Sequence, residues 1–134
     1  MAGELEEAAK VLIAALDEMD VDRMMATAAD GAQGVDEISR RWLRGRDELE
    51  AYLRELMDSV SDVRTELRDA QEQTWGDTGL LTCWIDQDYT LGGEHQHISA
   101  PTTMVFRRQD GAWKLALFHS IPLSEHDVSD PGIT

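Results

Sequence analysis

Leu80-Leu81-Thr82-Cys83-Trp84-Ile85-Asp86-Gln87-Asp88-Tyr89-Thr90-Leu91 decides the fold. The run is rich in β-branched and aromatic residues, which suit a pleated, half-buried surface. Successive side chains of a strand point to opposite faces. Leu81, Cys83, Ile85, Gln87, Tyr89 and Leu91 therefore share one face, and Thr82, Trp84, Asp86 and Asp88 the other. The first set is the more apolar and reads as inward, the pattern of an antiparallel strand with one wet face. Gly76-Asp77-Thr78-Gly79 and Gly92-Gly93 bound the strand with turn signals. Upstream, Val63–Trp75 alternates loosely and carries much charge. Downstream, Gln96–Arg108 leads through Gln109-Asp110-Gly111 into a last strand, Trp113–Ile121. These strands exceed the usual ~5–6 residues and are expected to bend, with bulges as the device.

The first half of the chain has a different period. Leu5, Ala8, Ala9, Leu12, Ile13 and Leu16 recur at three and four residues and predict a helix over Glu4–Met19. Asp20 fits the N-cap of a short helix, Val21–Ala28, which Asp30-Gly31 breaks. Gln33–Ser39 reads as an irregular strand and Arg40–Leu43 as a second short one. Asp47, followed by Glu50, resembles a capping box opening a third helix, Glu48–Ser59, with the stripe Leu49, Tyr52, Leu53, Leu56 and Met57. Helices first and strands after predict an α+β domain with helices on one side of an antiparallel sheet. No repeat, low-complexity segment or linker interrupts the 134 residues, so one domain is expected over 1–134, its core at about 5–123 and an acidic tail at 124–134.

Composition narrows the partners. The chain carries 27 acidic and 12 basic residues, a net charge of -15. That speaks against nucleic acid, whose affinity comes from Lys and Arg on phosphates, and against an anionic membrane surface. Cys83 is the one cysteine, so no intrachain disulfide forms, and it reads as an inert core thiol. The acidic start Met1–Glu7 is not that of a secretory leader, and no apolar run reaches the ~18 residues of a membrane span. A cytoplasmic location is expected.

Several local patterns fall together in order. They are Asp20-Val21-Asp22, Leu43-Arg44-Gly45-Arg46-Asp47-Glu48-Leu49, Trp75-Gly76-Asp77-Thr78, and Phe106-Arg107-Arg108-Gln109-Asp110-Gly111-Ala112-Trp113-Lys114-Leu115 with Phe118-His119 beyond. Over residues 5–123 the chain resembles the SnoaL-like and ketosteroid-isomerase-like members of the nuclear transport factor 2-like superfamily. The resemblance implies a cone: a strongly bent, cystatin-like antiparallel sheet wrapped around the N-terminal helices. It also implies a deep apolar pocket for a small, largely apolar molecule and a homodimer through the outer sheet face. Known members include isomerases, dehydratases, cyclases and non-catalytic binding modules, so fold alone does not settle activity.

The resemblance also picks out residues. Asp36 falls on the isomerases' general base. The donor tyrosine of their oxyanion hole is replaced by Leu12, and the donor acid by Thr103. The base position is kept and the oxyanion hole largely is not, which speaks against steroid isomerisation. Asp36 and Glu37 are neighbours, so on an extended segment at most one faces the pocket, and the match favours Asp36. Cys83, Ile85, Gln87 and Tyr89 are expected on the pocket wall, with Asp86 and Asp88 outside. His97, Thr103 and His119 are expected to present polar tips to the ligand, and Trp42 to help wall the pocket. His95 and His97 form an H-x-H without an evident third ligand, so no metal site is assigned. No cofactor is implied. Two readings stay open: an acid–base enzyme of isomerase, dehydratase or cyclase type, and a module that binds a small ligand or dimerises without chemistry.

Overall fold

A computed structural model describes residues 3–123; His126 and the acidic tail lie outside them. The chain runs α1 (Glu4–Asp17), α2 (Val21–Ala26), β1 (Ala28–Asp36), β2 (Leu43–Arg44), α3 (Arg46–Ser59), β3 (Val60–Trp75), β4 (Thr78–Leu91), β5 (Glu94–Gln109) and β6 (Ala112–Ser120). The six strands form one curled, unclosed sheet in the order β2-β1-β6-β5-β4-β3. The meander β3 to β6 is antiparallel as expected. The first half then joins it: β1 pairs in parallel with β6, placing Asp36 opposite Ser120.

Several boundaries differ from the sequence reading, three of them around β1, β2 and α3. Asp30-Gly31 does not end an element but lies within β1, where Gly31 takes φ +73° and the register to β6 shifts. The short second strand is Leu43–Arg44, paired to Gly34 and Gln33. Gly45, at φ +90°, caps α3 in place of Asp47, which sits in the first helical turn. That φ is one only glycine adopts readily.

Strand bending has identifiable causes. β3 shifts register against β4 at two places, and Asp62 and Asp69 take φ 53° and 55° there. Aspartate tolerates this left-handed region better than most residues. In β6, Val105 faces Leu117 but Phe106 faces Leu115, which leaves Ala116 as the extra residue of a bulge.

The core lies between α1 and the inner sheet face: Leu5, Ala9, Leu81, Cys83, Ile85, Met104 and Phe106 are all buried. A second cluster, Val60, Val63 and Tyr89, fills the other end. The start of α1 has no cap of its own. Glu72 of β3 supplies one, accepting from the Leu5 and Glu6 amides at 3.3 and 3.0 Å. A carboxylate there satisfies orphan donors and complements the helix dipole.

Candidate functional site

Between the three helices and the inner sheet face lies a cavity of about 150 Å³. An engineered cavity of roughly that volume holds a benzene ring. α1 contributes Leu12, Ile13 and Leu16, and β4 and β6 contribute Ile85, Leu115 and Phe118. The apolar stripe of α3 contributes Leu49, Tyr52, Leu53 and Leu56, yet no residue of that helix is fully buried. The stripe covers a hollow, so its residues keep one open side.

Two charged side chains line this space, Asp36 and Glu37, and no Lys, Arg or His of the described residues lies on its wall. Both do so because β1 ends at Asp36 and the chain turns. The alternation of an extended segment stops there, and the expectation that only one of the pair faces inward is corrected. Asp36 Oδ1 accepts from the Ile38 amide at 3.0 Å and the Ser39 amide at 2.8 Å. The Tyr52 hydroxyl of α3 lies 2.8 Å from Oδ1 and 3.0 Å from Oδ2 and donates to that carboxylate. Glu37 Oε1 accepts from the Tyr89 hydroxyl of β4 at 2.9 Å. Burial raises the Glu37 pKa above the ordinary glutamate value. The Tyr89 hydrogen bond opposes this, the charge of Asp36 adds to it, and Arg40 opposes it weakly. Both tyrosines are pushed upward, first by burial and then by the acids they serve, so they remain protonated donors.

Ile85 and Gln87 lie on the wall, as β4's alternation indicates. Tyr89 is buried in the second cluster and reaches the site through its hydroxyl. Cys83 points inward but into the core beside Leu5 and Ala9, away from the cavity; burial pushes its thiol up to about 11.

Four expected wall residues face the other way. His97 pairs with Asp88, and Thr103 with Thr82. Directly opposed residues share a face, so both are outside with their partners. The His97 ring nitrogen is 3.0 Å from Asp88 Oδ1 and His95 is 3.3 Å from the same oxygen. His119 pairs with Thr103. The Ala116 bulge reverses the alternation of β6, so Leu115 faces the cavity while His119 does not. Trp42, 42% exposed, lies with its ring 6.0 Å from that of His119. The sequence reading missed Glu37 and Tyr52. Tyr52 carried one signal, a polar tip on an otherwise apolar helical stripe.

No curated protein matches the chain. Among solved structures it is similar to a candidate dehydratase of the NTF2-like family from Streptomyces avermitilis, 22% identical, covering 90% of this chain and 94% of that one at a TM-score of 0.83. A ketosteroid isomerase-like protein from Erwinia carotovora atroseptica is 21% identical, covering 90% and 95% at a TM-score of 0.78. A cystatin-like-fold protein of unknown function from Nostoc punctiforme is 20% identical, covering 91% and 90% at 0.75. At these identities the likeness is one of fold. Residues 5–124, which include every strand and both acids, match the SnoaL-like domain, and the chain belongs to that family.

Proposed function

We propose that the cavity holds a small, largely apolar molecule and that Asp36 performs acid–base chemistry on it, of isomerase, dehydratase or cyclase type. One observation carries this reading: the Asp36 carboxyl group stands on the wall of a mostly apolar, ring-sized hollow. A positioned proton-transfer group contributes roughly 10²–10⁴-fold to rate. Ring-sized ketones can be screened for binding by ligand-observed NMR and for exchange of their α-hydrogens in D2O. Asp36→Asn is expected to lower exchange by roughly 10²-fold or more while binding persists. Unchanged exchange in Asp36→Asn would remove the chemical role.

A second reading has its own support. Three donors already occupy Asp36, two of them backbone amides of its own turn. That is also how a purely structural aspartate holds a turn. In that case the protein binds its ligand without turning it over, and binding in Asp36→Asn occurs with no exchange in either protein. The reading includes a homodimer through the outer sheet face. A depression there is lined by Trp84, Pro101, Ile121 and the exposed Leu123 together with Asp69, Gln71, Thr82, Thr103 and His119, a mixed surface of the kind found at non-obligate interfaces. Sedimentation of the wild type and of Trp84→Glu tests it: a dimer that becomes a monomer is expected.

A further inference from the structure

Resting on the reading of the cavity as a ligand site, we infer that Glu37 selects the ligand by donating a hydrogen bond to one acceptor oxygen, a carbonyl or ether, on a neutral ring-sized molecule. The inference follows from accounting for the polar groups of the wall. Gln87 donates one amide hydrogen to Thr65 Oγ1 at 2.9 Å and keeps its second, and the Gln33 amide oxygen accepts from Arg44 Nε at 3.3 Å. Ser120 is paired with Thr102 at 2.8 Å. The Tyr52 hydroxyl is committed to Asp36. Asp36, taking three donors, acts as an acceptor.

Glu37 differs. Its Oε1 receives the Tyr89 hydroxyl, which fixes the head group, and Oε2 has no hydrogen-bond partner among the described residues. The titratable groups near it are Asp36 on β1, Tyr52 on α3, Tyr89 on β4 and Arg40 in the turn after β1. The Arg40 guanidinium bonds the Glu37 backbone carbonyl at 3.0 Å, so it holds the turn and not the carboxyl. A second negative charge would therefore stand beside Asp36 in an apolar space without a cation on its wall. Burial and that neighbour both favour the proton-bearing form. A neutral carboxyl with Oε1 already engaged offers its remaining O–H as a donor. A ligand carboxylate or phosphate would meet Asp36 without a compensating cation.

The probe is carbonyl-13C-labelled cyclohexanone, with methylcyclohexane as the comparison. In the wild type the bound carbonyl resonance is expected downfield of its position in apolar solvent. Glu37→Leu should lose that displacement and bind roughly 5–10-fold more weakly, the worth of one hydrogen bond. Glu37→Gln keeps a neutral donor. It should hold the displacement across pH, whereas the wild type loses it as pH rises through the Glu37 titration. An unchanged carbonyl resonance in Glu37→Leu, or a pH response shared by Glu37→Gln, overturns the inference. So does binding of methylcyclohexane without cyclohexanone; in each of these the cavity remains a ligand site. If neither probe binds, the reading of the cavity itself fails and the inference falls with it.

Discussion

Glu37 couples proton binding to folding, and the sign follows from its environment. Its folded pKa lies above the unfolded value near 4.5. Between those two values the folded chain holds more protons than the unfolded one, so stability declines as pH rises through that window. The loss is complete above the folded pKa and absent below the unfolded one. Glu37→Gln retains an acceptor for Tyr89 and cannot ionise. Its melting temperature should exceed that of the wild type at pH 8 and match it at pH 4, as calorimetry at the two pH values would show. Tyr52→Phe removes a donor from Asp36 and is expected to cost about 1 kcal/mol by chemical denaturation. Asp36 was legible because a family resemblance places an acid there. Glu37 was not, because its inward turn depends on where β1 ends, and no local residue pattern marks that end.

At the scale of elements, close contacts set the tolerances. A β-carbon on Gly79 would stand 2.7 Å from the fully buried Leu5 side chain. Gly79→Ala should therefore cost roughly 1–3 kcal/mol as overpacking, measured by urea unfolding. Asp20 accepts from the Arg23 amide at 3.1 Å. That cap was legible from residue type and position, and Asp20→Ala is expected to lose about 1 kcal/mol. The faces of β4 were also legible, since a regular strand obeys its alternation. Those of β6 were not. One inserted residue, Ala116, carries His119 to the outer face, and neither hydrophobicity nor turn chemistry announces a bulge inside an apolar run. The placement of His97 and Thr103 was within reach of the sequence: a two-residue Gly92-Gly93 loop, both glycines at positive φ, pairs Leu91 with Glu94 and so sets His97 opposite Asp88 and Thr103 opposite Thr82.

For the whole molecule, the order of periods foretold a layered α+β domain, and the ordered motifs foretold its bent sheet. What the periods could not show is that the α3 stripe covers empty space, because a stripe reads alike over a core and over a hollow. Leu53→Phe would place added volume in the hollow. Binding of ring-sized probes by NMR should then fall tenfold or more, with a melting temperature unchanged or raised. Among the described residues no helix is long and apolar enough to cross a membrane. The parallel pairing of β1 with β6 also has a consequence in time. Ala28–Asp36 is made well before its sheet partner, Ala112–Ser120, which is the last of the described strands to be synthesised. Non-local pairings of this kind form slowly. A nascent chain lacking β6 has Asp36 and Glu37 at the end of an unpaired edge. The acids and the hollow they line come together only when the final strand is inserted between β1 and β5.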